Sequence, residues 1–296
     1  MGRASTPPLG RTIEPMLRLT GIAGFSRWYI GAAKALLTIE EARVSDVVVH
    51  ELRGAWGLAS ISPFCLKLQT WLRIAGIPYS SVAAATPFGA PKGKLPFIEH
   101  DGRRIGDSGF AIDYLSQRLG RDPDASLDTI TRGTAVALRR MVEENLYWTL
   151  VYDRWMVEEN WRSFRDVVLG GVPAAVRPLI APIARRGVRK QLVGHGVGRH
   201  SAEEIHAIGR RDIGALADVL GDRPFFLGDV PTGFDAVAYG FLANILEVPI
   251  ASPVKDEGLR RASLPAYLAR MRNRFWSAPR AAGSVAERGA AVSALG

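Results

Sequence analysis

Apolar positions recur with two different periods along the chain, and the change of period divides it. Val47, Val48 and Val49 form a short β-branched run just after Asp46, the kind a buried strand uses. A loop rich in Gly and Ser follows, from Gly54 to Ser62. Phe64, Leu68, Trp71, Leu72 and Ala75 then fall at i, i+4, i+7, i+8 and i+11, one face of a helix of period 3.6. Gly76 is placed to end that helix, and Pro78 prevents its continuation. Tyr79 to Ala83 reads as a second strand. Leu95 to Ile105 reads as a hairpin, with Phe97 and Ile98 on one arm, Ile105 on the other and Asp101-Gly102 at the tight turn. Ser108 is a good N-cap for a helix carrying Phe110, Ile112, Tyr114, Leu115 and Leu119, which Gly120 ends.

The predicted order is β-α-β and then β-β-α, which is thioredoxin-like, with a parallel pair and a hairpin in one mixed sheet. After about residue 125 no strand pattern continues. Thr129–Tyr152, Ala202–Leu220, Phe234–Leu246 and Leu264–Phe275 read as helices. Thr232 and Asp235 form an [ST]-x-x-[DE] capping box, a folding signal rather than a site. The expected fold class is therefore α/β plus all-α: a thioredoxin-like domain over residues 46–122, then an all-helical domain over 123–296. Residues 1–45 form an N-terminal extension. Residues 1–15 are rich in Pro, Gly, Ser and Thr and read as disordered, while residues 16–42 have helical composition. That stretch is open to three readings: a helix packed on the body, an interfacial helix, or an extension without function.

A length of 296 residues agrees with two domains, and 47% hydrophobic residues argues against wholesale disorder. The single cysteine, Cys65, excludes an internal disulfide and a cysteine-based zinc cluster, and it favours a reducing compartment. His50, His100, His195, His200 and His206 lack metal-ligand spacing with carboxylates, so no metal is expected. The net charge of +9 is uneven. No acid occurs between Asp166 and Glu203, where Arg177, Arg185, Arg186, Arg189, Lys190 and Arg199 all fall. The basic run at Arg185–Lys190 reads as a solvated helix face, with a phosphate patch as the alternative. It has no interleaved aromatics, so no nucleic acid is expected. Val167–Ala184 is apolar but holds Arg177, Pro173, Pro178 and Pro182, a poor membrane span. The N-terminus gives no clear secretory signal.

Three places carry candidate chemistry. Ser62-Pro63-Phe64-Cys65 lies between strand and helix, where backbone N–H groups and the helix dipole favour an anion. A redox protein would have Cys-x-x-Cys there; with Ser62 first, dithiol chemistry is out. The Ser62 hydroxyl either donates to a bound thiolate or simply caps the helix. Lys94-Leu95-Pro96 opens a strand with a proline suited to a cis bond or to an ordinary edge position. Asp107-Ser108, at a helix start, can take an ammonium and a carboxylate together or act only as a cap. Trp148, Tyr152, Trp155, Trp161 and Phe164 recur at helical spacing and fit either core or the wall of a cleft, with Tyr152 and Trp155 the candidate cleft members.

Together these elements resemble the glutathione transferases. "SPFCLKLQTWLRIAGIPY", "PKGKLPFIEHDGRRIGDS" and "FAIDYL" are similar to the branch that includes metaxins and failed-axon-connections proteins, and "GDVPTGFDAVAYGFLANIL" and "GVGRHSAEEI" to its helical half. The resemblance covers roughly residues 46–276. It implies that Ser62 activates the glutathione thiol, that Leu95 before a cis Pro96 pairs with the tripeptide backbone, and that Lys94 meets the glycine carboxylate. Asp107 and Ser108 would hold the γ-glutamyl end. The implied activity is conjugation of glutathione, as co-substrate and without a metal, to a small apolar electrophile by a serine-type transferase. The alternative it implies is a non-catalytic metaxin-type adaptor at a membrane surface. A homodimer, a cytoplasmic location and peripheral membrane contact through the basic segments belong to the same expectation.

Overall fold

The computed structural model describes residues 47–84, 87 and 89–277. The expectations for residues 1–45 lie outside the described residues. Four strands form one sheet in the order β2-β1-β3-β4: β1 (Val48–Glu51), β2 (Ser80–Ala83), β3 (Phe97–His100) and β4 (Arg103–Gly106). β1 pairs parallel with β2 and antiparallel with β3, and β3 pairs antiparallel with β4. The hairpin turns at Asp101-Gly102, both with positive φ (50° and 69°), as a two-residue turn of right-handed twist requires.

The β1–β2 crossover is α1 (Pro63–Ile74), and α2 (Ser108–Leu119) follows β4. Val47, Val49 and Ile98 of the sheet pack against Leu68, Trp71 and Leu72 of α1 and against Ala111 and Leu115 of α2. Gly120 ends α2 in the left-handed conformation that glycine adopts at least cost.

Among the described residues, all the remaining regular elements are helical: α3 (Thr129–Arg140), a π-helical turn (Met141–Leu146), α4 (Tyr147–Trp155), α5 (Glu158–Val168), α6 (Arg177–His195), a 3₁₀ turn (Val197–Arg199), α7 (Ala202–Leu220), α8 (Gly233–Leu246), α9 (Pro253–Arg260) and α10 (Ser263–Phe275). Thr129–Tyr152, expected as one helix, is therefore two helices joined by the π-helical turn. Three helices that periodicity did not give, α5, α6 and α9, also occur.

The thioredoxin-like half and the helical half meet where α8 lies on α1. Phe234 to Leu246 are all buried, so α8 is a core helix on every side. Gly240 permits the close approach, because a Cβ there would stand 2.7 Å from the Pro63 carbonyl oxygen and 2.8 Å from the Lys67 nitrogen. The expected capping box starts α8 at Thr232. Among the described residues, no helix is long and apolar enough to cross a membrane.

Candidate functional site

Sheet register brings the three chemical elements to one end of the sheet. β1 runs towards Glu51 and the loop that leads to Ser62. His50 pairs with Phe97, the first residue of β3, and Phe97 pairs with Gly106, the last residue of β4. The segments just outside these residues are Ser62 at the start of α1, Leu95-Pro96, and Asp107-Ser108. The Asp107 N–H donates to the Pro96 carbonyl at 3.3 Å, tying two of them together directly.

Ser62 is the N-cap of α1, and its Oγ accepts from the Cys65 N–H at 3.3 Å. That bond uses a lone pair of the hydroxyl oxygen; the hydroxyl proton is within reach of the Cys65 sulfur, with which a ligand sulfur would compete for it. The loop before it is held from both sides. Ser60 Oγ donates to the Leu52 carbonyl at 2.7 Å and accepts from the Ser62 N–H at 3.3 Å. The buried Arg154 guanidinium of α4 donates to the Ile61 carbonyl at 2.6 Å and to the Asn244 carbonyl and Oδ1 at 2.7 and 2.9 Å. Burial without a bonded carboxylate pulls the Arg154 pKa down to about 10. Arg154 thus fixes the peptide immediately before Ser62 from the helical half.

The Leu95–Pro96 peptide is cis. Pro96 is buried, Leu95 half-buried and Lys94 exposed. Leu95 backbone groups have no backbone partner among the described residues. The first turn of α2 requires one correction. Ser108 was expected as N-cap, but the cap is Asp107, whose Oδ1 accepts from the Gly109 and Phe110 N–H groups at 2.7 and 3.3 Å. Ser108 is the first helical residue and is buried. Asp107 has φ 84°, a positive value that a non-glycine residue adopts only where its surroundings hold it.

Beneath Asp107 lies a buried charge cluster. Lys67 Nζ of α1 meets Glu143 Oε1 of the π-helical turn at 2.5 Å, and Arg139 Nε meets Glu143 Oε2 at 3.0 Å. Arg139 sits so close to Gly109 that a Cβ there would stand 2.3 Å from its Nη2. Burial lowers the Lys67 pKa, and Glu143 opposes the shift.

Cys65, by contrast, faces inward. It is fully buried, and desolvation pushes its thiol up to about 12 against the lowering hydrogen bond from Ser62. In the native protein Cys65 should therefore resist a disulfide reagent and react only on unfolding. Thiol titration with and without denaturant checks this, and rapid native labelling would refute it.

Trp155 stacks on Trp161 (5.0 Å between ring centroids) and packs edge-on to Phe164, while Tyr152 lies edge-on to His206 at 5.8 Å. Trp161 and Phe164 are core; Tyr152 and Trp155 are half-buried beside it. Sequence reasoning missed Ser60, Arg154, Asn244, Lys67, Glu143 and Arg139. The available signal was a cation inside an apolar helical run, in "FCLKLQTWL" and "TLVYDRWMV".

A thioredoxin-like domain carrying a cis-proline loop, joined to an all-helical domain, defines the class. A model of the glutathione S-transferase N-terminal domain matches residues 63–160, and one of the glutathione S-transferase C-terminal domain matches residues 209–271. Isoprene-epoxide–glutathione S-transferase of Rhodococcus sp. (strain AD45) is 32% identical over 235 residues, covering 77% of this chain and 99% of the relative. Failed axon connections of Drosophila melanogaster is 34% identical over 237 residues, covering 73% of this chain; the chain spans 55%, about half, of that relative's length. Metaxin-1 of Mus musculus is 26% identical, with 75% and 73% covered. A solved glutathione transferase from Phanerochaete chrysosporium shares the fold with a TM-score of 0.55 at 12% identity, covering 79% of this chain and 99% of the other. The chain belongs to the glutathione transferase superfamily, in the branch that holds the metaxins and Failed axon connections.

Proposed function

We propose that this protein is a serine-type glutathione transferase acting on a small apolar electrophile. The observation that carries the reading is the convergence of Ser62, Leu95–cis-Pro96 and Asp107-Ser108 at one end of the sheet. Leu95, whose backbone groups have no backbone partner among the described residues, receives the tripeptide backbone. Lys94 meets the glycine carboxylate. The Ser108 N–H and hydroxyl take the γ-glutamyl carboxylate, and Asp107, whose Oδ1 already accepts from the Gly109 and Phe110 N–H groups, takes its ammonium. The glutathione sulfur then lies at the N-terminus of α1, where the Ser62 hydroxyl donates to it.

A hydrogen bond and a helix dipole both favour the thiolate. A fall of about two units in thiol pKa raises its fraction at neutral pH up to roughly a hundredfold. The thiol proton leaves to solvent, and sulfur forms a bond to the electrophilic carbon as that carbon's leaving bond breaks. For an epoxide, the ring C–O bond opens and the alkoxide takes up a proton. The Rhodococcus relative, named for an isoprene epoxide and glutathione, supports an epoxide as the first electrophile to try. Tyr152 and Trp155 are the proposed apolar wall.

The test is glutathione binding by calorimetry and conjugation of a small epoxide and of chlorodinitrobenzene. Ser62→Ala should keep glutathione binding and lose about 100-fold in kcat/KM. Unchanged turnover in Ser62→Ala would remove Ser62 from the chemistry, and no glutathione binding by the wild type would refute the whole reading. A second reading, a non-catalytic adaptor at a membrane surface, is favoured by the similarity to Metaxin-1 and by the acid-free basic stretch. It requires a chain that associates with membranes and shows no conjugation.

A further inference from the structure

Five of the large apolar side chains left in solvent lie on one short stretch. Val176, Leu179, Ile180, Ile183 and Val193 are all exposed, Leu179 and Ile183 at 68% each. All but Val176, which immediately precedes it, are on α6. The inner side of this helix is Ala181, Arg185, Val188 and Leu192, at i, i+4, i+7 and i+11. Ala181 and Leu192 are buried. Arg185 donates to the Trp155 and Met156 carbonyls at 2.8 and 3.1 Å and meets Glu158 Oε2 at 2.7 Å. His195 stacks on Trp148 at 4.6 Å. α6 is thus pinned to the body along one side.

Its other side repeats the same spacing. Leu179, Ile183, Arg186 and Lys190 again fall at i, i+4, i+7 and i+11, with Arg189 on the flank. Arg186, Arg189 and Lys190 are exposed and have no ion pair among the described residues. No acid occurs between Asp166 and Glu203. Among the described residues, the outer line therefore passes from bare apolar side chains to cations without an ion pair along one helix.

That pairing selects the partner. A polyanion such as duplex DNA uses the cations but leaves Leu179 and Ile183 in water. A protein groove must be apolar at one end and acidic at the other, in register. An anionic bilayer offers both along its whole surface: acyl chains for the apolar end and phosphates for the cations. We propose that the outer face of α6 docks on an anionic lipid bilayer, with Leu179 and Ile183 entering the acyl boundary and Arg186, Arg189 and Lys190 meeting lipid phosphates. This inference is independent of the glutathione reading; it deepens the adaptor reading by supplying the contact surface that reading needs.

The test is cosedimentation of the full chain with vesicles of phosphatidylcholine alone and of phosphatidylcholine mixed with phosphatidylglycerol. Wild type should bind the mixed vesicles and be released by high salt. L179S/I183S and R186E/R189E/K190E should each reduce the bound fraction about tenfold or more while keeping the wild-type circular dichroism spectrum. As a second measurement, a solvatochromic label on Leu179→Cys should shift to the blue on mixed vesicles, since Cys65 is buried and escapes the label. Wild-type binding that both variants retain, with no spectral shift, overturns the α6 assignment and leaves the adaptor reading standing. Failure of the wild type to bind overturns both. Equal binding to phosphatidylcholine alone removes the role of the cations. Preferential binding to duplex DNA or to an acidic polypeptide, lost in the variants, makes the occupant something other than a bilayer and overturns the proposal.

Discussion

Replacing Asp235 with alanine is expected to lower the unfolding free energy by roughly 3–5 kcal/mol, because two buried backbone donors lose their acceptor and a helix loses half of its capping box. The Asp235 carboxylate is fully buried. Oδ1 accepts from the Phe226 N–H at 3.0 Å, and Oδ2 accepts from the Thr232 N–H at 2.8 Å and the Thr232 hydroxyl at 2.9 Å. The Tyr267 hydroxyl also reaches Oδ1, at 3.2 Å, but it retains the Asp235 carbonyl at 3.1 Å, so its loss is partial. Phe226 and Thr232 are themselves buried, away from bulk solvent that could replace the missing acceptor. The melting temperature should fall by about 10 °C. Asp235→Asn, which keeps one acceptor oxygen, should fall between the variant and the wild type. A loss below about 1 kcal/mol in a urea titration of Asp235→Ala would show that the surroundings relax around the gap.

Glu143→Ala is expected to cost a similar amount, about 3–5 kcal/mol, for an electrostatic reason. Lys67 is 1% exposed and Glu143 6%. Without the carboxylate, the Lys67 ammonium is buried beside Arg139 with no anion bonded to it. Burial already depresses the Lys67 pKa, and removing Glu143 deepens that shift. The sign of the pH dependence follows. A lysine whose folded pKa lies below its unfolded value stabilises the fold above the unfolded pKa and loses that contribution as pH falls through the folded one. The deficit of Glu143→Ala should therefore shrink as pH is raised from neutral towards about 10. K67M/E143L, which removes both charges, should recover most of the stability. Urea midpoints at the two pH values read both effects, and a pH-independent deficit would place the damage in packing rather than charge.

The thioredoxin-like half was largely legible because its signals are local. A β-branched run, an Asp-Gly turn and a single apolar helix face each act over a few residues, and the structure places each where expected. The cap of α2 shifted by one residue, since Asp and Ser are both good caps and it is the Asp107 carboxylate that takes the Gly109 and Phe110 N–H groups. The helical half was less legible. Pro173, Pro178 and Pro182 hide α6, and its outer face carries apolar residues where an ordinary surface helix is polar. Lys67 and Arg154 stood out as cations in apolar runs, but their partners lie 76 and 90–93 residues away in sequence. Candidate residues near Ser62 could be found by motif; the groups that fix their position could not.

The π-helical turn at Met141–Leu146 restricts how the length of this chain can drift. Removing one residue there would restore ordinary helical hydrogen bonding but turn everything beyond it by about 100° relative to everything before it. Upstream, Arg139 faces Gly109 and Glu143. Late in the turn Asn145 donates to Asp212 at 2.7 Å, and downstream of it Arg154 holds the Ile61 carbonyl. Only one of these sets could keep its partners after such a deletion. Substitutions within the turn can be absorbed singly, whereas a change in residue count forces two halves of the molecule to choose which contacts survive.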